Sequence, residues 1–243
     1  MIADLRALWQ QAFGDTDALL DGFFAAGFSE ERCHYIAENG VPVSALYWFD
    51  CQLDGQKLAY IYAVATDEKH RGKGLARRLM TETHAILREK GYAGAILVPA
   101  GQALFGMYEK MGYREATTVS KIVAEQGSTP VTLTQIDAGE YARLRRQYLP
   151  EKGVIQEGAA LSYLQTYCKF YKGEDFLLVT SEDNGALRAQ ELLGNTATAP
   201  GILRALDYEN GIFRAPGNDR NFSMFLPLTA NCPVPRYFGL ALD

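Results

Sequence analysis

The chain has 243 residues, of which 48% are hydrophobic and 22% charged, and its formal net charge is −5. Enough apolar surface is available to bury a core, which excludes a disordered chain. The mild acidic excess provides no overall field that would attract nucleic acid or an anionic membrane, so we expect neither as a partner.

Two helices are predicted at the start of the chain. Apolar residues recur at helical spacing from Ile2 to Phe13, and a second periodic stretch covers residues 17–26. Gly27 is suited to end the second helix, because glycine adopts the left-handed conformation of a helix cap at no steric cost.

Three strands are predicted next, at residues 33–38, 42–49 and 57–65. The dipeptide Asn39-Gly40 joins the first two strands, since both residues tolerate the positive φ of a tight hairpin turn. A second turn at Asp54-Gly55 leads into the third strand, whose aliphatic and aromatic residues are typical of a central strand.

The longest predicted helix covers residues 74–90. Its apolar residues share one face, Lys90 complements the helix dipole in the last turn, and Gly91 can adopt the left-handed cap. His84 is expected on the outward face of this helix, in a structural role. A strand at residues 93–98, a helix at 102–111 and a strand at 113–124 follow. This alternation predicts an α/β fold in which helices flank a mixed sheet.

A polar segment with Gly and Pro at residues 125–130 predicts a boundary between two domains, 1–126 and 131–243. The second half is predicted to contain a strand at residues 131–134, helices at 137–148 and 159–171, a hairpin at 175–193 with its turn at Asn184-Gly185, a helix at 199–206, strands at 211–214 and 222–228, and a strand-like, aromatic ending. This order weakly repeats that of the first half, although no residue-level repeat supports it. The hypothesis is a smaller α+β domain of related fold.

Cysteine spacing and the N-terminus bear on metal binding and localisation. The four cysteines are widely spaced and include no C-x-x-C pair, so we predict neither a zinc site nor a redox dithiol. Asp4 and Arg6 interrupt the apolar run that a signal peptide would need. No segment approaches the ~20 consecutive apolar residues of a membrane span. We therefore expect a cytoplasmic protein without a metal.

The segment between the third strand and the long helix has the chemistry of a phosphate-binding turn. Gly72 and Gly74 carry no side chain, so backbone N–H groups can close on an anion. The helix N-terminus behind them adds about half a positive charge and several unpaired donors. Nearby cations are Arg71, Lys73, Arg77 and Arg78, of which the last two could simply face solvent. The alternative interpretation is that the glycines only shape a strand-to-helix turn.

Two nucleotide-binding motifs do not match this segment. A Walker A loop requires Ser or Thr after its Gly-Lys, whereas Lys73 is followed by Gly74 and Leu75. A dinucleotide-binding G-x-G-x-x-G motif requires a third glycine, and that position is Arg77. Both motifs are therefore excluded.

Two short motifs give the segment a family resemblance. Arg71-Gly-Lys-Gly-Leu-Ala76 is similar to the acetyl-CoA signature of the GNAT N-acetyltransferase superfamily, R/Q-x-x-G-x-G/A, and lies between a central strand and a long helix as in that family. Tyr108-Glu-Lys-Met-Gly-Tyr113 resembles a second mark of the family, Y-x-K-x-G-F/Y. The resemblance covers residues 1–124 and implies a GNAT-type mixed sheet flanked by helices that binds acetyl-CoA. Because the two motifs occur in the expected order, they favour a coenzyme-binding turn over glycines that only shape the connection between strand and helix.

The resemblance also implies roles for particular residues. Backbone groups of Val64 and Ala65 would pair with the pantetheine arm of the coenzyme as an added strand. Tyr108 would protonate the departing thiolate, although packing on the inner face of its helix is the alternative. Gln102 stands near the place where many family members carry an asparagine that contacts the coenzyme. Main-chain amides that would hold the pyrophosphate belong to Arg71, Gly72, Lys73, Gly74, Leu75 and Ala76.

The implied reaction is direct transfer of acetyl from acetyl-CoA to a primary amine of a small molecule or peptide. A catalytically silent acyl-CoA-binding sensor or assembly module is the alternative, and an acyl chain longer than acetyl stays open. No general base is identified among the candidates Glu38, Asp50, Asp67, Glu68 and His34. The second half is hypothesised to be a degenerate, coenzyme-free GNAT-like lobe that completes the acceptor pocket.

Overall fold

The computed structural model describes residues 1–242. Contacts divide the chain into two compact units, which we call unit 1 and unit 2. Unit 1 contains Met1–Arg114 and Met224–Val234, and unit 2 contains Glu115–Ser223 and the residues from Pro235 onwards. The domain limits expected from sequence, 1–126 and 131–243, stay a prediction.

Two helical segments open unit 1, as the apolar periodicity predicts. Helix α1 (Ile2–Phe13) ends at Gly14, whose φ is 71°, and α2 (Asp17–Gly22) continues as a π-helical turn at Phe23–Gly27. The Thr16 hydroxyl caps α2 by accepting a hydrogen bond from the amide of Leu19. Aromatic side chains join these helices to the sheet, because the Trp9 ring lies 4.5 to 5.4 Å from the rings of Phe23, Tyr47 and Tyr62.

Unit 1 is built on a mixed sheet with the strand order β1-β2-β3-β4-β12. Its elements are β1 (Cys33–Glu38), β2 (Val41–Leu53), β3 (Gln56–Thr66), α3 (Leu75–Glu89), β4 (Gly94–Leu97), α4 (Gln102–Glu109) and the second half of β12 (Arg220–Pro227). Antiparallel hairpins join β1 to β2 and β2 to β3, with positive φ at both residues of the predicted turns Asn39-Gly40 and Asp54-Gly55. Strand β4 is parallel to β3, with α3 as the crossover, and β12 pairs antiparallel with β4.

Strand β3 carries a bulge near its end and then leaves β4. Ala45 of β2 faces Ala65, but Tyr47 faces Tyr62, so β3 contains an extra residue, and Ala63 has a φ of 49°. Pairing between β3 and β4 extends only from Leu58 to Tyr60. Because β3 runs on to Thr66, its last residues have no β4 neighbour, and this opening positions the candidate site.

One face of the unit 1 sheet is covered by α3 and α4. Leu79, Met80 and Leu87 of α3 are fully buried in this core, to which the buried residues Phe105 and Tyr108 of α4 also belong. Because apolar residues of both helices belong to one core, the two helices cover the same face of the sheet.

His84 corrects one expectation about α3. It was predicted on the outward face, but it is 6% exposed, and its Nε2 lies 2.9 Å from the hydroxyl of Tyr113. Burial, with a smaller contribution from the charge of Arg88, lowers the pKa of His84 to about 4. The outward prediction failed because Tyr113, which is distant in sequence, supplies the polar partner that a buried ring needs.

Unit 2 repeats the strand plan of unit 1. Its elements are β5 (Arg114–Glu125), β6 (Thr134–Ile136), α5 (Ala138–Tyr148), β7 (Ile155–Gln156), α6 (Ala159–Leu164), β8 (Lys169–Lys172), β9 (Phe176–Asp183), β10 (Ala186–Gly194), α7 (Ala199–Leu206), β11 (Asn210–Pro216) and the first half of β12. The strand order is β6-β8-β9-β10-β11-β5. An antiparallel β9–β10 hairpin with a bulge at Ala189/Glu191 leads through α7 to β11, which is parallel to β10. This is the order of β2, β3, α3 and β4 again.

The last strand of each sheet comes from the other half of the sequence. In unit 1 the antiparallel neighbour of β4 is Met224–Pro227, the end of β12. In unit 2 the antiparallel neighbour of β11 is β5, which follows α4 in the chain. Each unit therefore completes its sheet with a strand encoded next to the elements of the other.

Three segments of unit 2 differ from the sequence prediction. The helix expected at 159–171 ends at Leu164, and β8 begins at Lys169 after a turn in which the Cys168 amide donates to the Leu164 carbonyl. The first strand covers Thr134–Ile136 rather than 131–134. The strand-like ending has no strand after Pro227 within the described residues, although most side chains from Tyr237 to Leu242 are buried. Burial without periodicity explains the misassignment of this ending.

A buried ion pair lies between α5 and β10. The Glu191 carboxylate accepts hydrogen bonds from Arg145 at 2.7 and 2.8 Å, from Tyr141 at 2.6 Å and from Tyr237 at 3.0 Å. Arg145 also donates to the Val154 carbonyl at 2.9 Å. Burial alone lowers the pKa of Arg145, but the charge of Glu191 outweighs it and raises that pKa. Both charges are thus satisfied inside unit 2.

Candidate active site

The glycine turn before α3 has the backbone conformation that its residues suggest. Gly72 and Gly74 have φ values of 76° and 77°, in the left-handed region that glycine adopts most readily. A Cβ added to either residue would meet no atom of the described residues within 4 Å. Gly74 is the N-cap of α3 and its carbonyl accepts the first helical hydrogen bond, from Arg78, at 3.0 Å. The turn is therefore open on the side where a side chain would project.

The main-chain amides of this turn are free to bind a ligand. From Gly72 to Arg77, none of the amide N–H groups donates to an acceptor within residues 1–242. The first turn of α3 contains no acidic residue, and Gly74 offers no side-chain cap. Unpaired donors at the positive end of a helix dipole are the usual binding site of a phosphate.

The loop that leads into the turn is held by hydrogen bonds. The Asp67 carboxylate accepts from the Lys69 amide at 3.0 Å and lies 2.5 Å from Nδ1 of His70. The other ring nitrogen of His70 is 3.2 Å from Glu38, and Nε of Arg71 donates to the Thr66 carbonyl at 3.2 Å. The hydrogen bond to His70 is the largest cause that lowers the pKa of Asp67. Asp67 and Glu38, both candidate bases, are thus engaged in holding the loop.

A cavity of about 700 Å³ extends from this turn to α4. Seven of the predicted coenzyme-binding residues line it: Val64, Ala65, Arg71, Gly72, Gly74, Leu75 and Ala76. Lys73 and Gln102 do not line it; both are exposed, and Gln102 is the first residue of α4, next to the lining residue Ala103. Its volume lies within the range of small-ligand sites.

The end of β3 forms one wall of the cavity through Val64, Ala65 and Thr66. The Ser44 hydroxyl donates to the Ala65 carbonyl at 2.9 Å and also lies 2.9 Å from the Thr66 hydroxyl. These bonds fix the strand end beyond the bulge, where β4 no longer pairs with it. An extended ligand can lie along such an unpartnered strand segment as an added strand.

Tyr108 reaches the cavity from α4. Its side chain is 7% exposed, and its hydroxyl has no hydrogen-bond partner within the described residues. Burial raises the pKa of Tyr108 to about 12, so the phenol keeps its proton at neutral pH. The Tyr113 ring packs edge-on against it, with 5.8 Å between ring centroids. Tyr108 is therefore a protonated donor held in one orientation.

A family profile for the acetyltransferase (GNAT) domain matches residues 2–116. These residues are a GNAT acetyltransferase domain. The match covers the glycine turn, the cavity and Tyr108 together. No curated protein sequence matches the chain.

Solved structures extend the fold assignment beyond this GNAT domain. A GCN5-related N-acetyltransferase from Kribbella flavida is 18% identical, with a TM-score of 0.69 over 92% of this chain and 68% of that chain. One from Anabaena variabilis is 16% identical, with a TM-score of 0.68 over 94% and 70% of the two chains. A tandem GNAT protein from the clavulanic acid biosynthesis pathway is 12% identical, with a TM-score of 0.54 over 95% and 96%. At these identities the likeness concerns the fold, a mixed α/β GNAT-like fold across most of the chain.

Several lining residues of the GNAT domain were not predicted from sequence. Helix α1 contributes Ala12 and Phe13, and His70 lies beside the turn. Lys110 follows Tyr108 by two residues, inside the second motif, so the motif itself could have identified it. The sequence indicates Phe13 less clearly, as a large apolar residue at the very end of its helix. In the structure its side chain is 44% exposed.

The described residues contain neither a metal-binding cluster nor a membrane-spanning helix. Within residues 1–242, no group of three or more His, Cys, Asp or Glu side chains could hold a metal ion. None of the described helices is long and apolar enough to cross a membrane.

Proposed function

We propose that the chain is an N-acetyltransferase that moves an acetyl group from acetyl-CoA to a primary amine of a small molecule or peptide by direct attack. One observation carries the proposal. A single cavity joins the unpaired amides of the glycine turn to the free hydroxyl of Tyr108, so one elongated ligand can contact both.

The residues of the turn suit the diphosphate of a CoA ester. The open space at Gly72 and Gly74 admits the anion, and the amides up to Arg77 offer donors without a side chain in the way. The wall at Val64 and Ala65 suits the amide-bearing pantetheine arm, which needs strand-like partners. Acetyl-CoA is therefore the co-substrate that the cavity favours.

The chemistry requires a donor at the leaving sulfur. The amine nitrogen attacks the thioester carbonyl, a C–N bond forms, the C–S bond breaks and the sulfur leaves as a thiolate. Tyr108 donates its hydroxyl hydrogen to that sulfur as negative charge develops there. The pKa of a thiol, ~8.5, lies below the pKa of Tyr108, about 12. A thiolate therefore takes the proton of Tyr108 only unfavourably, and the hydrogen bond matters more than a complete proton transfer.

No carboxylate lines the described cavity, and Asp67 is occupied by His70. We infer that the ammonium group of the acceptor loses one proton before the amine attacks, and that the nitrogen releases a second proton to water once the C–N bond has formed, rather than to a side chain of unit 1. Catalysis then rests on positioning and on the Tyr108 donor.

The corresponding connection in unit 2 lacks such a site. Between β10 and α7, the Asn195 side chain accepts from the Ala197 amide at 3.1 Å and donates to Asp175 at 2.8 Å. A Cβ added at Gly194 would collide with the Asp175 carbonyl. The chain's own groups fill this turn and a carboxylate stands beside it, so we infer that one CoA ester binds per chain. Calorimetric titration with CoA should give a stoichiometry of one; two equivalent sites would contradict the inference.

Thiol release from acetyl-CoA in the presence of an amine panel tests the activity. Tyr108→Phe should lower kcat by about 10- to 100-fold while CoA affinity is kept, because only the donor is lost. Tyr35→Phe, a change at an exposed tyrosine of β1 outside the cavity, is the matched control and should not alter kcat. Acetyl-CoA binding without thiol release for any amine would favour the sensor alternative, and equal kcat in Tyr108→Phe would remove Tyr108 from the mechanism.

A further inference from the structure

The charge of the cavity differs in sign from that of the whole chain. Although the net charge is −5, no Asp or Glu is among the lining residues of the described cavity, whereas three Arg or Lys side chains are: Arg71, Arg77 and Lys110. Arg71 is partly committed, because its Nε donates to the Thr66 carbonyl. The cavity is therefore built for an anionic ligand, and it holds more positive charge than its loop needs for its own structure.

Arg77 and Lys110 are the two lining cations whose side chains form no ion pair or hydrogen bond within the described residues. They come from two elements, Arg77 from the first turn of α3 and Lys110 from the C-cap of α4. Two cationic side chains that converge on one cavity from separate helices indicate a second charged group on the ligand.

The diphosphate does not require these side chains. Main-chain amides from Gly72 to Arg77 and the positive end of α3 already provide its donors. A CoA ester carries one more phosphate, the phosphomonoester on the 3′ oxygen of its ribose, which is dianionic at neutral pH. Among the described lining residues the other Arg or Lys is Arg71, whose Nε already donates to the Thr66 carbonyl, so Arg77 and Lys110 are the two whose side chains have no such bond.

We propose that Arg77 and Lys110 form a phosphomonoester subsite that binds the 3′-phosphate of the coenzyme, so that the protein selects CoA esters over their 3′-dephospho analogues. The proposal rests on the proposed function. Charge-assisted hydrogen bonds to phosphate give such selectivity even at an exposed rim, where both side chains lie.

The neighbouring cation Arg78 provides a matched control. It follows Arg77 on the same helix and is also exposed, but its Nε donates to Glu82 at 2.7 Å and it does not line the cavity. Removing Arg78 changes the net charge of the helix end as much as removing Arg77 does. It leaves the cavity unchanged.

Calorimetric titration with CoA and with 3′-dephospho-CoA tests the subsite in the full chain. The unmodified protein should bind CoA about tenfold more tightly, and Arg77→Ala and Lys110→Ala should each reduce that ratio to about threefold, almost entirely through CoA. Arg78→Ala should keep the tenfold ratio, and Arg77→Lys should restore most of it.

Equal affinity of the unmodified protein for the two ligands would overturn the subsite, as would variants that weaken both ligands by the same factor. Failure of both ligands to bind would overturn the proposed function, and the subsite with it. The two failures are thus distinguishable from the same titrations.

Discussion

Replacing Gly74 by Ala separates the backbone strain of the glycine turn from its ligand contacts. The φ of Gly74 is 77°, and an added Cβ would meet no protein atom within 4 Å in the described residues. Gly91, which ends the same helix α3, has a φ of 78° and equally open surroundings, but it does not line the cavity. Gly91→Ala therefore imposes the same strain at the other end of the helix.

The magnitudes follow from these geometries. Holding Ala in the left-handed region costs roughly 1–2 kcal/mol, so both variants should lose that much free energy of unfolding, or about 2–8 °C in Tm for a chain of this size. In Gly74→Ala the methyl group also occupies the space above the unpaired amides. Loss of one hydrogen bond to a charged acceptor weakens binding by about 1.5–3 kcal/mol, or about 10- to 100-fold in Kd.

Denaturant unfolding and CoA titration of the two variants check this reasoning. Equal losses of stability, with weaker CoA binding in Gly74→Ala alone, are expected. If Gly74→Ala binds CoA as tightly as the unmodified protein does, the turn does not hold the diphosphate. If Gly91→Ala weakens binding equally, the effect arises from helix strain and the reasoning fails as well.

Two further predictions concern stability. The folded pKa of His84, about 4, lies below its ordinary value of 6.5, so the unfolded chain takes up the proton first and stability falls as pH drops from 6.5 towards 4, by up to about 3 kcal/mol. In His84→Gln the urea midpoint of unfolding should fall less between pH 6.5 and pH 4 than it does in the unmodified protein. If the two proteins show the same pH dependence, His84 is not the source of the loss of stability. Glu191→Gln should destabilise unit 2 by about 3–5 kcal/mol because Arg145 is left buried without its counter-charge, whereas Glu157→Gln, which breaks the exposed pair with Arg146, should cost at most about 1 kcal/mol. Similar costs for these two glutamate variants would show that burial of the first pair does not matter.

Local chemistry made much of the fold predictable from sequence. The turns at Asn39-Gly40, Asp54-Gly55 and Asn184-Gly185 lie where the dipeptides predict them, because each pair must accept positive φ at both residues. The helix expected at residues 199–206 is found as Ala199–Leu206. The glycine turn could be identified for the same reason, because Gly72 and Gly74 adopt the positive φ that glycine favours.

The remaining features depend on partners that are distant in the chain. His84 looks like a surface residue of an amphipathic helix until Tyr113 is placed against it. Phe13 and Lys110 join the cavity only because α1 and α4 both approach the end of β3. Apolar alternation identifies β5 and β12 as strands, but it does not say which sheet each of them completes.

The exchange of final strands has a consequence for how the protein is made. The GNAT domain is encoded before most of unit 2, yet the β4 edge is covered only when Met224–Pro227 has been synthesised. A nascent chain normally folds its leading domain while the rest is still being translated. Here the GNAT domain keeps an open strand edge until residues 224–227 have left the ribosome. A gene cut between the two halves would deprive each product of its last strand.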